Sequence, residues 1–527
     1  MASAQLPHGD SAGTFLGHPK GLFMLFFAEM WERFSYYGMR ALLIFYLTKH
    51  WLYSDAEAGV IYGAYTALVY ITPVVGGYLA DRYLGQRKAV QFGAVLLTLG
   101  HFFMAFEGSP AAGHTDNPVI NVFWLALALI IVGSGFLKAN ISVIVGQLYP
   151  RTDVRRDGAY TIFYMGINLG AALGSLLCGY IGETYGWAYG FGLAGIGMLL
   201  GLVVFVLGRG LLLGRGEPPT GLTKGREWSM YAVGVGLVAL CWVLVQNQSV
   251  VGGLLGVFGG LLVAYVIFVA VTKLAAEERD RIFAALILII TSIIFWALFE
   301  QAGSSLNLFT DRHVDRGGVP ASVFQSVNAI YIILLAPLFA TAWTYMGRKG
   351  IEPSTPFKFG LGVIQVGLGF LVLVWGASSV GVDVPTPVIF IFLIYLLHTT
   401  GELCLSPVGL SAMNRLAPAH MASLIMGVWF FASATGNFAA GLIAAATGAE
   451  GVGEEAGKQV VLDVYSTVGW VAVGVGIVVL VISPLIKKLM HLDTLRDDNV
   501  GDDLEGQAGA GLEPQEAGIH PATRPKG

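Results

Sequence analysis

The stretch EMWERFSYYGMR, residues 29–40, places charged side chains inside a segment that is otherwise apolar enough to cross a membrane. Charged groups are costly in lipid, so a helix that carries them must turn them toward partner helices or a water-filled cavity. At about 100° per residue the polar side chains share one helix face. They are Glu29, Glu32, Arg33, Tyr36, Tyr37 and Arg40. A plain ion pair between Glu29 and Arg33 at i,i+4 is the simpler alternative, but it leaves the rest of this face unexplained.

The whole chain has the composition of a polytopic membrane protein. Of its 527 residues, 55% are hydrophobic and only 12% are charged, and the mean hydropathy is +0.69. The net charge of −4 offers no basic surface, so we expect no nucleic-acid partner and take the lipid bilayer as the main solvent. Cys178, Cys241 and Cys404 all lie in apolar runs, which predicts neither a disulfide framework nor a metal site.

Runs of about 20 apolar residues predict fourteen membrane-spanning helices. They lie near 21–47, 58–79, 89–106, 119–148, 159–182, 187–208, 229–246, 250–272, 282–301, 321–346, 359–377, 387–406, 421–447 and 467–486. The basic residues concentrate in alternate loops, which are those around 80–88, 149–158, 209–228, 273–281 and 347–358. This bias predicts that these loops and both termini are cytoplasmic, in a multi-pass protein of the cell membrane.

The predicted spans divide as six, two and six, because the pair at 229–272 is nearly uncharged and follows a long basic loop. Each set of six has a basic loop between its second and third helix, DRYLGQRK in one and GRKGIEPSTPFK in the other. Repetition of this kind indicates two related halves around a midplane site. The expected parts are a cytoplasmic N-terminal segment at 1–20, a six-helix bundle at 21–208, a linker with the inserted pair at 209–281, a second bundle at 282–490 and a disordered cytoplasmic tail at 491–527.

Buried charge is divided unequally between the two halves. The spans of the first half carry Glu29, Glu32, Arg33, Arg40 and Lys138, and those of the second carry Glu300 and Glu402. A cavity between a cationic and an anionic half suits a zwitterion, because clustered cations bind carboxylates. The alternative is that Lys138 and Glu402 neutralise each other across the bundle. Both hold if the pair breaks and reforms as a gate, and we expect a second such pair between Arg40 and Glu300.

Several uncharged side chains have two interpretations each. Asn168, Gln325 and Asn328 can bond either a ligand's backbone or a neighbouring helix. The aromatic residues Tyr70, Trp296, Trp429 and Phe430 can line a pocket or simply pack. His398, one turn before Glu402, can relay protons or pack. No HExxH or GxSxG motif stands near the polar face of a span, which argues against an intramembrane enzyme.

These motifs resemble the proton-coupled oligopeptide transporters of the major facilitator superfamily, over nearly all of 20–490. The first-helix signature of that family, Glu-x-x-Glu-Arg-Phe-x-Tyr-Tyr, matches residues 29–37. Further similar stretches are GGYLADRYLGQRKAV at 76–90, FYMGINLGA at 163–171, FWALFEQ at 295–301 and GVWFFASATGN at 427–437. The inserted helix pair is typical of bacterial members. One departure is Gly63, which stands where animal relatives have a histidine, so a proton route through that side chain is absent.

The resemblance implies an all-α major facilitator fold and a proton-coupled symporter that imports di- and tripeptides by alternating access. It implies no cofactor beyond the coupling proton, peptide-like drugs as further substrates, and a monomer as the favoured state. The implied peptide carboxylate site is Arg33, Arg40 and Lys138, with Glu402 for the amino group. The implied backbone contacts are Tyr37, Tyr70, Asn168 and Asn328, and the implied pocket walls are Trp296, Trp429, Phe430 and Ser433. The implied proton carriers are Glu29, Glu32 and Glu300.

Two other functions stay open at the level of sequence. One is a carrier of another small zwitterion or anion, such as an amino acid, nitrate or a drug-like compound. The other is a peptide receptor that binds without transport.

Overall fold

The computed structural model describes residues 13–108, 118–149, 155–219, 222–418, 421–448 and 454–492, and within these ranges it contains fifteen α-helices. They are α1 Lys20–Phe45, α2 Asp55–Leu79, α3 Gln86–Met104, α4 Ile120–Gln147, α5 Arg156–Tyr185, α6 Trp187–Leu207, α7 Lys224–Gln246, α8 Gln248–Lys273, α9 Ala276–Phe299, α10 Ser305–His313, α11 Ser326–Arg348, α12 Thr355–Val380, α13 Ile389–Leu416, α14 Ala422–Ala446 and α15 Glu454–Leu489. Two short strand pairs accompany them, β1 Thr14–Phe15 with β2 His18–Pro19 (antiparallel) and β3 Val314–Asp315 with β4 Thr386–Pro387 (parallel). The predicted disordered tail falls almost entirely outside the described residues.

All long helices correspond to predicted spans, and only α10, with 9 residues, is short. In the described part of the chain, 12 helical segments are long and apolar enough to cross a membrane. The two long helices outside this set are α1, which carries the charged face, and α3, which begins with Gln86, Arg87 and Lys88. The expected all-α membrane fold is confirmed.

Helix ends differ from the expected spans where the helix extends beyond its apolar part. α15 begins at Glu454 rather than near 467, and α13 continues to Leu416 rather than ending near 406. Hydropathy detects only the portion that matches lipid, whereas a helix continues into water wherever its backbone bonds persist. The span predicted at 282–301 also breaks at its end: a 3₁₀ turn at Glu300–Gly303 separates α9 from α10.

Two hydrophobic cores divide the chain into halves. One core is built mainly from α1 to α6, and the other from α9 to α15. In the first half, α1 and α5 touch backbone to backbone: a Cβ on Gly170 would lie 2.1 Å from the Met30 carbonyl oxygen, and one on Gly174 would lie 2.2 Å from that of Phe34. Gly170, in FYMGINLGA, and Gly174 therefore allow the charged helix to lie against α5.

The inserted pair, α7 and α8, contacts both halves. α7 packs on α2 and α4, and α8 packs on α2, α9 and α14. The linker before it is held by ion pairs: Arg87 Nε lies 2.5 Å from Glu217 Oε1, its Nη2 lies 2.9 Å from Glu217 Oε2, and Lys88 Nζ lies 2.6 Å from Glu227 Oε1. On the other side, Phe438 of α14 lies directly over Gly252 of α8.

We call the helix ends that meet loops 80–85 and 349–354 the basic end, and those that meet loops 46–54 and 314–320 the far end. At the far end, α10 joins the halves. Lys49 Nζ lies 2.7 Å from Asp311 Oδ2, and Arg312 binds the Asp55 carboxylate with two nitrogens. The Ser322 backbone N–H also donates to Glu183 Oε1 at 2.7 Å. The halves are therefore closed against each other at the far end.

Candidate functional site

Three charges of α1 form a buried cluster. Arg33 Nε lies 2.7 Å from Glu29 Oε1 and 3.2 Å from Glu32 Oε2, and each of the three residues is at most 1% exposed. The simple Glu29–Arg33 pair is therefore present, but it is part of a cluster in which two carboxylates share one guanidinium. Arg33 Nη1 and Glu29 Oε2 are buried without a hydrogen-bond partner among the described residues. Such atoms require a ligand, water or proton to satisfy them.

Arg40 connects the halves one helix turn beyond Tyr37. One of its guanidinium nitrogens forms an ion pair with Glu300, and Nε donates to the Tyr62 hydroxyl at 2.5 Å. The expected Arg40–Glu300 contact is thus present. A Cβ on Gly303 would lie 1.8 Å from the Tyr62 hydroxyl, so only glycine lets α2 reach Arg40 beneath the 3₁₀ turn. Tyr62 and Gly303 could not be predicted from local sequence, because their importance comes from a contact between distant segments.

Lys138 of α4 lies among aromatic rings of its own half. Its Nζ is 4.2 Å from the centre of the Tyr36 ring and 5.7 Å from that of Tyr70, and the side chain is buried. A desolvated ammonium over an aromatic face gains about 2 kcal/mol. The rings of Tyr36 and Tyr70 therefore help to fix the position of the ammonium.

Glu402 of α13 is buried and is oriented by α11. Its Oε2 accepts from Asn328 Nδ2 at 3.1 Å, and the same nitrogen donates to Thr399 Oγ at 2.9 Å. His398, one turn earlier, contacts α12 instead, with Nε2 3.1 Å from the Val366 carbonyl oxygen and its ring against Phe370. This geometry fits the packing interpretation of His398 better than the proton relay.

The remaining predicted residues surround these charges on several helices. Asn168 Nδ2 donates to the Tyr164 carbonyl, while its buried Oδ1 has no partner among the described residues. Tyr37 packs against Ala171 and Ala329, at a contact between the halves. Gln325 instead donates to the Ala41 carbonyl at 3.3 Å, which corresponds to its helix-bonding alternative.

The aromatic candidates come from α9 and α14. Trp296 and Trp429 are buried, and the Nε1 of each has no hydrogen-bond partner in the described part of the chain. Ser433 Oγ donates to the Trp429 carbonyl at 3.2 Å, and Phe430 is half-buried. A buried indole N–H that lacks a partner is available to a ligand carbonyl.

The structure gives a steric reason for Gly63. A Cβ at this position would lie 2.7 Å from Gly441 Cα and 3.1 Å from the Phe438 carbonyl oxygen of α14. Contacts this close leave no room for any side chain, and a histidine is far larger than a methyl group. The absence of the histidine is therefore tied to the close approach of α2 and α14.

Comparison with known proteins places the chain among membrane transporters. The model of the POT family matches residues 87–456. The uncharacterized transporter YclF of Bacillus subtilis is 37% identical over 494 residues, which are 90% of this chain and 96% of that protein. The peptide transporter YePEPT of Yersinia enterocolitica is 39% identical over 463 residues, or 82% and 88% of the two chains.

A solved structure extends the match to three dimensions. A crystal structure of a variant of the peptide transporter POT in complex with alafosfalin superposes with a TM-score of 0.79 at 37% identity, covering 92% of this chain and 98% of that one. Sequence, fold and the first-helix signature agree, and the chain belongs to the POT family of proton-coupled oligopeptide transporters.

Proposed function

We propose that the protein is a proton-coupled symporter that imports di- and tripeptides by alternating access of its two halves. The observation that carries this proposal is the division of buried charge between the halves. Arg33, Arg40 and Lys138 are buried in one half, and Glu300 and Glu402 are buried in the other. A site with cations in one half and carboxylates in the other suits a zwitterionic ligand, because each of its two charges meets groups of opposite sign. Relatives named as peptide transporters support the same assignment.

In this proposal the peptide carboxylate binds the cations of α1 and α4, and the ammonium binds Glu402. Tyr37, Tyr70, Asn168 and Asn328 contact the peptide backbone, and Trp296, Trp429, Phe430 and Ser433 line the side-chain pockets. A fixed gap between cation and anion selects for length, since two extended residues span about 7 Å and three about 10 Å. Single amino acids are too short and long chains are excluded.

Proton coupling follows from the charge of the α1 cluster. Two carboxylates and one guanidinium carry a formal charge of about −1, which is unfavourable in a buried site, and one bound proton neutralises it. Glu300 is the second carrier, because a peptide carboxylate that takes Arg40 releases Glu300 to accept a proton. Peptide and proton then bind together, which is the requirement for symport.

Ion pairs between the two halves act as the gates. Arg40–Glu300 and the far-end ion pairs hold one side closed, and we place Lys138 with Glu402 as the pair that forms on the other side. With the basic loops in the cytoplasm, the far end is extracellular and the protein is closed to the outside. Both termini then lie in the cytoplasm and the protein resides in the cell membrane.

Uptake of labelled dialanine into proteoliposomes tests the proposal. One proton crossing 100 mV releases about 2.3 kcal/mol and each pH unit adds about 1.36 kcal/mol, which together support accumulation near 500-fold. We expect accumulation under an inward proton gradient and only equilibration when an ionophore collapses it. Equilibration under both conditions would rule out symport. Binding of dialanine without uptake would indicate a receptor, and competition by single amino acids or nitrate but not by dipeptides would indicate another cargo.

A further inference from the structure

Thr399 is a buried residue of α13, one turn before Glu402, and its hydrogen bonds reach α11. Its Oγ donates to the Tyr395 carbonyl at 2.7 Å and lies 2.9 Å from Asn328 Nδ2. The same Asn328 nitrogen lies 3.1 Å from Glu402 Oε2. One amide group is therefore held at two points by a single helix.

The proton count of this network fixes the orientation of the Asn328 amide. A threonine hydroxyl has one proton, and Thr399 donates it to the Tyr395 carbonyl, so toward Asn328 it can only accept. The ionised Glu402 carboxylate also only accepts. Both partners require the NH₂ group of Asn328, which resolves the ambiguity between the oxygen and nitrogen of a side-chain amide.

We propose that Thr399 is a positioning residue that determines which end of the Asn328 amide the substrate meets. With its NH₂ group turned to α13, Asn328 directs Oδ1 away from Thr399 and Glu402, and this half-buried side chain has no other hydrogen-bond partner among the described residues. The site then has two acceptors, Oδ1 of Asn328 on α11 and the Glu402 carboxylate on α13. A peptide ammonium has several N–H donors and matches these two acceptors. The inference rests on the proposed function, and it means that the site recognises the ammonium by its hydrogen-bond donors as well as by its charge.

Glu402 alone does not hold the amide through a proton-driven cycle. A protonated carboxyl becomes a donor, and the amide can then turn its oxygen toward it. Thr399 retains the original orientation, because its proton stays on the Tyr395 carbonyl in either state. The Asn328 Oδ1 acceptor is thereby kept in the same orientation when the charge of Glu402 changes.

Three variants of the full-length protein separate this role from general packing. Thr399→Val removes the hydroxyl at nearly constant volume, and Thr399→Ser keeps it. Thr400→Val is the matched control, because among the described residues the Thr400 hydroxyl bonds only its own helix, at Leu396 and Leu397. In proteoliposomes, unlabelled dialanine and N-acetyl-dialanine each compete with labelled dialanine for uptake. The inhibition constant of N-acetyl-dialanine divided by that of dialanine measures the selectivity for the free amine.

We expect Thr399→Val to lower this ratio about fivefold, the effect of one neutral hydrogen bond. Thr399→Ser and Thr400→Val should keep the wild-type ratio. An unchanged ratio in Thr399→Val overturns the inference and leaves the proposed function intact. A wild type with no preference for the free amine overturns the amine anchor itself, and this result is visible before any variant is made.

A second measurement tests whether Thr399 acts through Asn328, and it uses Thr399→Ala if the valine variant does not fold. In an Asn328→Ala background, removing the hydroxyl should change the ratio no further, because the amide it orients is gone. An equal loss in both backgrounds overturns the inference, since Thr399 would then act independently of Asn328.

Discussion

Arg33 is held between two carboxylates of its own helix, and the excess negative charge is what a proton can neutralise. Glu32→Gln removes one carboxylate and leaves the neutral pair of Arg33 with Glu29. We expect proton-driven accumulation of dialanine to be lost, while exchange of peptide across the membrane without a gradient partly survives. Counterflow and gradient-driven uptake in the same proteoliposomes measure the two activities. Equal loss of both would assign Glu32 to folding or binding, and full driven uptake would remove it from the proton pathway.

Glu402 is the proposed ammonium anchor, and its substitution tests charge without changing size. Glu402→Gln should weaken the binding of dialanine by about 1.5–3 kcal/mol, as expected for a lost charge-assisted hydrogen bond. N-acetyl-dialanine should be affected far less, so the preference for the free amine disappears. Competition against labelled dialanine, with Glu278→Gln as a control at a distant surface position, gives both affinities. If the preference survives in Glu402→Gln, the anchor lies elsewhere.

At this scale the sequence predicted charges better than it predicted their neighbours. The Arg40–Glu300 contact was foreseen because unpaired charges in a membrane segment need partners. Tyr62, Gly303 and Thr399 were not, because nothing in their local sequence distinguishes them from packing residues. Their roles arise from contacts between separate segments, such as Tyr62 with Arg40 across 22 positions and Thr399 with Asn328 across 71.

Among the elements, the position of α1 depends on glycines of α5, whose lack of a side chain lets the two helices touch. Gly170→Ala places a Cβ 2.1 Å from the Met30 carbonyl oxygen, so α1 and α5 must separate. We expect a loss of about 1–3 kcal/mol, as for overpacked cores. Gly192→Ala of α6 is the control, because its Cβ meets nothing within 4 Å and alanine favours helix. Thermal unfolding of the two purified variants in detergent decides the matter, and equal melting temperatures would contradict the tight contact.

The long helices followed from hydropathy, and the span predicted at 282–301 ends inside the 3₁₀ turn at Glu300–Gly303, but the short helix α10 beyond this turn was not predicted. Its sequence, SLNLFTDRH, is too short and too polar to be detected as a membrane span. The 3₁₀ turn is compatible with the close packing of Gly303 on Tyr62, which is tertiary information. Local patterns thus predict which long segments are helical, and packing decides where a helix bends.

For the whole molecule, the far-end ion pairs should bias the balance between its two conformations. Asp55→Asn combined with Asp311→Asn removes the carboxylates that bind Arg312 and Lys49. Exposed pairs are worth about 0.2–1 kcal/mol each, so we expect the loss of two pairs to shift the balance away from the closed far end by about 2- to 30-fold. Distances between spin labels at exposed Leu52 and Val319 report the populations.

Asp463→Asn is the matched control for this double variant, because the Asp463 side chain binds only Gln459 of its own helix. The control should leave the distance distribution unchanged. An unchanged distribution in the double variant as well would show that the far-end pairs do not govern closure.

The ion pair of Arg87 with Glu217 holds the linker at the basic end, and we call it the linker clamp. Its strength should depend on pH. Hydrogen bonding to Arg87 holds the pKa of the Glu217 carboxyl below its ordinary value of 4.5. A lowered pKa means that the contribution of the clamp is present above 4.5 and is lost as pH falls through the lowered value. A nitroxide on Arg215→Cys should therefore gain mobility in acid, and Glu217→Gln should make it mobile at every pH. A label that is equally ordered in both would contradict the clamp.

The contact of Gly63 with Gly441 also bears on how this transporter can evolve. A histidine at position 63 would have to enter a space that α14 already fills, so that single change alone reaches no working protein. Spacing between α2 and α14 would have to widen first, through substitutions in the other half that confer no benefit by themselves. Positions 63 and 441 should therefore be epistatic, because the side chain that fits at one depends on the space left by the other.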